Sequence, residues 1–265
     1  MTARAEGRLR SLAVAGALVV IWEGGKFLFA IPTYKLPHIH QIFADFLRRT
    51  GGDELMAWIM AQNAAVTAVE SLAGFALGGV AGLLLAVTFA YSRLLERGVL
   101  PYVIASQTVP ILAIAPMVVV WLGTSWFSKA VIAAYLTFFP VTINMLRGLK
   151  AVDPEALALM RALAATPRQV FLKLRVPASL PYLFTALRIS ATASVIGAIV
   201  GELPVGSRWG MGVVIINAAQ YYNWQPANLW SAILVSALIG IVFYHVFATV
   251  ERHVVRWQPA VHALA

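Results

Sequence analysis

Hydrophobic residues fall into six long blocks that polar segments separate. A membrane-spanning helix needs about 20 predominantly apolar residues, and a few fewer can still suffice. Residues 73–87 do not alternate between apolar and polar, as the strands of a transmembrane barrel would. The pattern therefore predicts an all-α polytopic membrane protein with about six transmembrane helices. The predicted spans are residues 11–31, 65–91, 99–122, 130–146, 184–203 and 229–250.

The composition of the 265-residue chain agrees with this pattern. Hydrophobic residues make up 60% of the chain, charged residues make up 12%, and the mean hydropathy is +0.80. An average soluble domain is about 45–50% apolar and about 25% charged. The values exclude a soluble enzyme, a disordered chain and a coiled coil. The absence of cysteine excludes structural disulfides, thiolate metal sites and cysteine nucleophiles.

The net charge of +9 indicates how the chain is oriented in the membrane and does not indicate a nucleic-acid partner. Most of the lysines and arginines lie in four polar segments that six spans place on one side of the membrane. Because such residues concentrate on the cytoplasmic side, both termini are predicted to be cytoplasmic. We expect one transmembrane domain over residues 1–265. Its parts are a cytoplasmic tail (1–10), four spans (11–146), a cytoplasmic loop (147–183), two spans (184–250) and a second cytoplasmic tail (251–265).

The cytoplasmic loop 147–183 is longer than a simple connection between helices. Asp153, followed by Pro154 and Glu155, predicts a helix start, and Thr166 followed by a proline predicts another. The second short helix is expected over residues 167–175, with two prolines, at 177 and 181, ending it. Two interpretations stay open: a docking surface for a partner, or helices that rest on lipid. The first helix carries an apolar stripe of Ala156, Leu159, Met160 and Leu163.

The same loop resembles the "EAA" loop of ABC-importer permeases. That motif has Glu-Ala-Ala, three residues, Gly, nine residues and Ile-x-Leu-Pro, and its spacing is matched up to Pro177. Two positions differ, because Ala158 stands where the family has Glu and Ala164 stands where it has Gly. The resemblance implies that the loop docks on an ATPase. The residues expected to do so are Asp153, Glu155, Ala156, Leu159, Met160, Leu163, Ala164 and Pro177.

The resemblance extends over about residues 22–215 and is similar to the nitrate, sulfonate and taurine branch of these permeases. Its motifs include the run 109–116, Val-Pro-Ile-Leu-Ala-Ile-Ala-Pro, then Trp-Leu-Gly at 121–123 and Gly-Met-Gly at 210–212. It implies a type I importer permease in the bacterial inner membrane. Such a chain forms a homodimer that binds two ATPase subunits and receives solute from an external binding protein. ATP and Mg²⁺ would be bound by the ATPase, and this chain would hold no cofactor.

Two further observations bear on function. The chain has no Gly-x-x-x-x-Gly-Lys-Ser/Thr, so it is expected to have no ATPase site of its own. The resemblance implies import of a sulfonate-, nitrate- or taurine-type anion, or of a flat heterocycle such as a thiamine pyrimidine precursor or riboflavin. The alternatives are half of a secondary transporter, or another polytopic membrane protein without an ATPase partner.

Polar residues within the spans are candidates for a solute pathway. Two prolines, at 110 and 116, interrupt the third span, and a kinked helix with polar residues at the break often lines a cavity. Glu202 ends the fifth span, where it is expected to act in a gate or to pair with Arg208. The pathway candidates are Gln107, Thr108, Asn144 and Glu202.

Other features of the spans have structural interpretations. Glu23 and Lys26 are expected to form an ion pair on one helix. Glu70 is expected to lie at the interface between membrane and water. Glycines at 74, 78 and 82 predict a close helix approach. Asp53 and Glu54 are expected to cap a short helix before the second span. The histidines at 38 and 40 are interpreted as solvated, and no metal site is predicted.

Overall fold

The computed structural model describes residues 3–204 and 206–255, and within this part the named elements are all helical, as predicted. The backbone in addition forms one isolated bridge between Arg49 and Leu55. The helices are α1 (Ala3–Leu28), α2 (Ile39–Asp45), α3 (Met56–Tyr91), α4 (Arg93–Ser106), α5 (Ile111–Leu122), α6 (Trp126–Lys150), α7 (Pro154–Ala162), α8 (Pro167–Val170), a π-helical turn (Phe171–Arg175), α9 (Val176–Glu202), α10 (Met211–Gln220) and α11 (Pro226–Val254).

Five of the six predicted spans fall on one helix each, and the third falls on the pair α4 and α5. Among the described residues, four continuous helices are long and apolar enough to cross a membrane: α3, α6, the run Pro167–Glu202, and α11. The pair α4 and α5 would make a fifth span, although the two helices are bent by 98° at their junction. The first predicted span, 11–31, overlaps α1.

The third predicted span is broken where its first proline stands. Helix α4 ends at Ser106, and Pro110 precedes the first residue of α5. Proline has no N–H to donate and disfavours helical backbone at the residue before it, so the helix stops there. The second proline, Pro116, stays inside α5. The predicted interruption is confirmed at Pro110.

Helix α3 packs against α6 through the three spaced glycines. A Cβ atom added to Gly74 would lie 2.3 Å from Ala133 Cβ, and one added to Gly78 would lie 2.4 Å from the carbonyl oxygen of Ala134. At Gly82 the corresponding distance to a carbonyl oxygen of α6 is 2.6 Å. No side chain fits in these gaps. The predicted close approach is confirmed, and its partner is α6.

Helix α6 meets α9 along a second face in the same way. A Cβ atom added to Gly197 of α9 would lie 2.6 Å from Ala133 Cα, and one added to Gly148 of α6 would lie 2.9 Å from Ser179 Cα. Ser190 of α9 also donates a hydrogen bond to the carbonyl oxygen of Thr137. Helix α6 is therefore buried between α3 and α9, and its position fixes the residues described below.

The chain divides into two compact units, residues 1–63 with 214–235, and residues 64–213 with 236–265. In the first unit, Trp22 packs edge-on against Trp230 with ring centroids 4.8 Å apart. Ser231 donates a hydrogen bond to the carbonyl oxygen of Ile42, and Tyr222 donates one to that of Lys35. The second unit contains the α3–α6–α9 packing and all the docking and pathway candidates.

The predicted pair between Glu23 and Lys26 is wrong. Glu23 Oε2 lies 2.6 Å from His38 Nδ1, and Glu23 Oε1 accepts a hydrogen bond from the N–H of Ile39. Lys26 Nζ donates to the carbonyl oxygen of Leu36. Both side chains satisfy polar groups of the irregular segment after α1, whose backbone has no helical partners of its own. His38 is thus a hydrogen-bond partner and not simply solvated.

The expected cap by Asp53 and Glu54 is also wrong. Asp53 lies in a turn with a φ of 62°, and its side chain pairs with Arg49 at 2.7 Å. Aspartate tolerates this left-handed backbone better than most residues, so it favours the turn. Helix α3 begins after the turn and runs without interruption for 36 residues. The short helix of this region is α2.

Candidate functional site

Helix α7 begins as the sequence predicts. Asp153 Oδ1 accepts a hydrogen bond of 2.9 Å from the N–H of Glu155, and Pro154 occupies the first helical position. The aspartate satisfies one of the N–H groups that have no partner within the helix, and its charge is favourable at a helix N-terminus. The start of α7 is thus fixed by local chemistry alone.

Helix α7 ends in a left-handed turn at Ala164, which has a φ of 53°. The N–H of Ala164 donates to the carbonyl oxygen of Arg161, and the N–H of Ala165 donates to that of Met160, both at 2.9 Å. These two bonds form a Schellman motif, in which glycine usually takes the left-handed position. Position 164, where the family motif has glycine, therefore has the left-handed backbone that favours glycine, although alanine occupies it.

The apolar stripe on α7 is largely uncovered. Leu159 is 61% exposed and Leu163 is 69% exposed, whereas Ala156 and Met160 are half-buried. Another face of α7 is turned toward its own unit, because Leu157 is half-buried and lines a cavity together with Leu149 and Val152. Helix α7 consequently packs on its own unit through one side and presents two large leucines on another.

The second short helix does not end where predicted. Thr166 and Gln169 form a capping box at the start of α8, but the helix then continues through the π turn into α9. The wide turn closes with a bond from the N–H of Val176 to the carbonyl oxygen of Phe171, five residues back. Pro177 follows directly after the π turn, inside the continuous run Pro167–Glu202. It is therefore part of the long helix and not its breaker.

Glu202, at the end of α9, is only 1% exposed and accepts two hydrogen bonds. Its Oε1 accepts a hydrogen bond of 2.6 Å from Thr67 Oγ1, and its Oε2 accepts one of 2.6 Å from the N–H of Gly212. Thr67 Oγ1 in turn accepts from the N–H of Met211 at 2.8 Å. The two residues together satisfy the first N–H groups of α10.

A second acid joins this group. Glu70 Oε1 lies 3.1 Å from Lys129 Nζ, and both side chains are almost inaccessible. Glu70 lies three residues after Thr67 on the same face of α3, which places the ion pair beside Glu202. We name Thr67, Glu70, Lys129 and Glu202 the polar cluster. It links α3, α6 and α9, and the hydrogen bonds that Thr67 and Glu202 accept from the N–H groups of Met211 and Gly212 tie it to the start of α10.

The polar cluster corrects two expectations. Glu70 is buried rather than interfacial, since it is only 2% exposed. Glu202 does not pair with Arg208, whose side chain is exposed. A charge at membrane depth is stabilised by partners at hydrogen-bond distance within the bundle, and α3 and α6 supply them here.

The glycines around Met211 allow the backbone to approach Glu202. A Cβ atom added to Gly210 would lie 2.2 Å from Glu202 Cδ, and the φ of Gly210 is 122°. One added to Gly212 would lie 2.4 Å from the carbonyl oxygen of Ile199. The Gly-Met-Gly run is required by this contact with the polar cluster.

Comparison with known proteins identifies the family. Residues 78–256 match the family described as binding-protein-dependent transport system inner membrane component. The chain belongs to this family. It is a membrane permease component of an ABC importer, as the resemblance in its sequence implied.

The permease has full-length relatives in several bacteria. It is 34% identical to the formylaminopyrimidine transport permease protein ThiX of Halalkalibacterium halodurans, over 91% of this chain and 92% of the relative. It is 31% identical to the riboflavin transport system permease protein RibX of Chloroflexus aurantiacus, over 92% of this chain and 88% of the relative. It is 27% identical to the putative aliphatic sulfonates transport permease protein SsuC of Bacillus subtilis, over 95% and 88%.

Solved structures support the permease fold. The chain aligns with a structure of the inward-facing MetNI methionine ABC transporter with a TM-score of 0.63 and 20% identity. The alignment covers 75% of this chain and 97% of that chain. A second match, an amino acid ABC transporter, has a TM-score of 0.57 and 16% identity. At these identities the likeness concerns the fold alone.

The pathway candidates of the permease occupy different environments. Gln107 and Thr108 are exposed together at the break between α4 and α5. Asn144 is half-buried on α6 and donates to the carbonyl oxygen of Pro140. Glu202 lies in the polar cluster. Sequence reasoning missed Tyr135, whose hydroxyl donates to the carbonyl oxygen of Ser106 at the end of α4.

Proposed function

We propose that this permease forms a homodimer, binds two cytoplasmic ATPase subunits, and imports a small solute that an external binding protein delivers. Membership of the family supports the transport role. The uncovered stripe on α7 supports the ATPase contact, because exposed apolar patches on a helix with well-formed ends mark interaction sites. ATP and Mg²⁺ then belong to the partner, and this chain supplies neither an ATPase site nor a cofactor.

The observation that carries the docking proposal is the exposure of Leu159 and Leu163 beside the half-buried Met160. A helix with such a stripe binds by laying it into an apolar groove of its partner. Asp153 and Glu155 fix the start of the helix, while Ala164 fixes its end. Helix α7 is thus ordered before the partner arrives, which lowers the entropic cost of docking.

The test is capture of the ATPase by permease variants at matched membrane levels. Met160→Glu would bury an unpaired carboxylate in the groove, which costs several kcal/mol. A loss of about 4 kcal/mol weakens assembly roughly a thousandfold. Ala158→Glu is the matched control, because it adds the same charge to the same helix at an exposed position where the family motif has Glu. Equal capture of wild type and Met160→Glu would contradict the docking role.

The proposed orientation places both termini, Glu96 and Arg161 in the cytoplasm, and Asp53, Ser125 and Asn223 outside. The chain has no cysteine, so single cysteines can be introduced without background. An impermeant thiol reagent applied to intact cells should label position 125 and not position 161. Labelling of position 161 from outside would reverse the orientation and remove the docking surface from the ATPase side.

We infer that the solute is a flat heterocycle rather than a sulfonate-, nitrate- or taurine-type anion. The relatives that share 34% and 31% of their residues with this chain are named for formylaminopyrimidine and riboflavin, whereas the sulfonate relative shares 27%. Gln107 and Thr108, exposed at the helix break, would offer amide and hydroxyl groups to such a solute. The break is the proposed pathway, together with Asn144 and Glu202.

Uptake measurements separate these solutes and the alternative mechanism. Cells that carry the permease, its ATPase and its binding protein should take up a labelled pyrimidine or flavin, and Gln107→Leu should lower that uptake. Uptake of taurine alone would contradict the heterocycle proposal. Uptake by vesicles that hold only this chain and an ion gradient would instead indicate half of a secondary transporter.

A further inference from the structure

Helices α4 and α6 enclose a groove with an apolar wall. On α4, Leu100 and Ile104 are four residues apart and share one face. On α6, Phe139, Ile143 and Leu146 have the same helical spacing and face the same cavity, of about 380 Å³. A volume of this size is within the range of small-ligand sites in proteins.

The groove continues into a polar cavity at the end nearest α7. This second cavity, of about 260 Å³, is lined by Arg93, Glu96, Lys150 and Arg175 among others. Glu96 and Lys150 line both cavities, and their side chains pair at 2.5 Å. The ion pair therefore marks the point where an apolar space meets a charged one.

The polar end has an excess of positive charge. Arg93, Lys150 and Arg175 line the polar cavity, and Arg147 lines the apolar cavity together with Lys150. Among the described residues that line either cavity, Glu96 is the only acid. Glu96 is already paired with Lys150, and none of the ion pairs among the described residues engages the three arginines. These three guanidinium groups, two in the polar cavity and one in the adjoining apolar groove, attract an anion that carries a long apolar part.

We propose that this groove binds one anionic phospholipid, with its phosphate on Arg93, Arg147 and Arg175 and an acyl chain between α4 and α6. Basic pockets between membrane helices bind anionic headgroups by the same combination of charge and depth. Arginine suits this role because its planar fork donates to two phosphate oxygens at once. A free anion would leave the apolar wall uncovered, and an apolar helix would leave the arginines without a counter-charge.

The proposed lipid site is separate from solute transport. It contains none of the docking residues and none of the pathway residues. It does lie against α7, because Leu157 lines the polar cavity. A lipid bound here would hold α4, α6 and the base of α7 together, so lipid composition would affect the stability of the permease without any solute present.

The test uses the purified full chain in detergent and native mass spectrometry, with phosphatidylglycerol and phosphatidylcholine of equal acyl chains as probes. Wild type should retain phosphatidylglycerol preferentially. The double variant Arg93→Gln/Arg147→Gln should retain it about 25-fold more weakly, since each basic residue near an anionic headgroup contributes roughly fivefold. Ile104→Trp fills the apolar part without changing charge and should also reduce retention.

Matched controls place the same substitutions elsewhere. Arg168→Gln removes an exposed arginine of α8, and Val120→Trp enlarges an exposed residue of α5. Both should retain lipid as wild type does. Equal retention of the two lipids by wild type would overturn the proposal. So would displacement of the lipid by glycerol phosphate alone, which indicates a free-anion site, or a changed oligomeric state of Ile104→Trp with normal lipid retention, which indicates a contact between copies.

Discussion

The polar cluster and the stripe on α7 depart in opposite directions from the usual distribution of residues. Glu70, Lys129 and Glu202 are ionisable and almost inaccessible, whereas Leu159 and Leu163 are apolar and more than 60% exposed. In a typical protein, charged residues are rarely fully buried, and large apolar residues are mostly covered. The difference lies in where the partners of each group are found.

The polar cluster finds hydrogen-bond partners within this chain. Thr67, Lys129 and the N–H of Gly212 contact the two carboxylates directly. The stripe on α7 has no comparable cover within the described part of the chain. The comparison supports a structural role for the cluster and agrees with the docking role that we propose for the stripe. Substitutions in the two regions should therefore affect different measurements.

The largest effect is expected from Lys129→Met. The substitution leaves Glu70 as an uncompensated buried charge, and breaking a buried pair in this way costs about 3–5 kcal/mol. Thermal unfolding of the purified permease in detergent should occur at a clearly lower temperature. The double variant Glu70→Gln/Lys129→Met removes both charges and should recover part of the loss. If both variants unfolded at the wild-type temperature, the pair would not stabilise the fold.

A smaller effect is expected from Thr67→Val, which keeps the shape of the side chain and removes its hydroxyl. Glu202 Oε1 and the N–H of Met211 would each lose a partner, and an unsatisfied buried group costs about 1–3 kcal/mol. Thr67→Ser keeps the hydroxyl and is the control. The unfolding temperature should be highest for wild type, lower for Thr67→Ser and lowest for Thr67→Val. A Val variant as stable as the Ser variant would show that the hydroxyl is dispensable.

Ala164→Gly should stabilise the end of α7. Alanine in the left-handed region costs about 1 kcal/mol more than glycine, although glycine loses more entropy on folding. Hydrogen exchange of the α7 amides should slow by up to about fivefold, since they open locally. Ala162→Gly, inside the helix, should have the opposite effect and make hydrogen exchange of these amides faster. Faster exchange in Ala164→Gly would mean that the turn is not limited by the backbone of this residue.

The smallest effect on stability is expected from Leu159→Ser. An exposed side chain that contacts little changes stability by within about 0.5 kcal/mol. Leu157→Ser, on the covered face of the same helix, should lower the unfolding temperature measurably. Capture of the ATPase should show the reverse order, with the larger loss for Leu159→Ser. A large loss of stability in Leu159→Ser would mean that the stripe is part of the core.

Local signals in the sequence predicted the parts of the fold that local physics determines. The cap at Asp153, the break at Pro110 and the close approach at Gly74 and Gly78 each depend on a residue type at a fixed spacing. Because these features need no knowledge of distant residues, they were predictable. The apolar stripe that contains Leu159 and Leu163 followed from helical spacing in the same way, whereas the exposure of these two leucines is known only from the structure.

Contacts between distant residues were not predictable in this way. Glu70 and Lys129 are 59 positions apart, and Thr67 and Glu202 are 135 apart. No periodicity relates such positions. Glu23 and Lys26 show the converse error, because a favourable spacing suggested a local pair while unsatisfied backbone groups beyond α1 offered better partners. The docking and pathway roles remain predictions.

The π turn at Phe171–Arg175 amounts to one extra residue wound into an otherwise regular helix. Since each residue of an α-helix advances by about 100°, that one residue turns everything before it by about a quarter of a revolution relative to α9. The direction in which helices α7 and α8 face is thus set by the number of residues in this turn and not by a side-chain contact. Deletion of a single residue here would leave every side chain of α7 and α8 unchanged but would rotate both helices to face another direction.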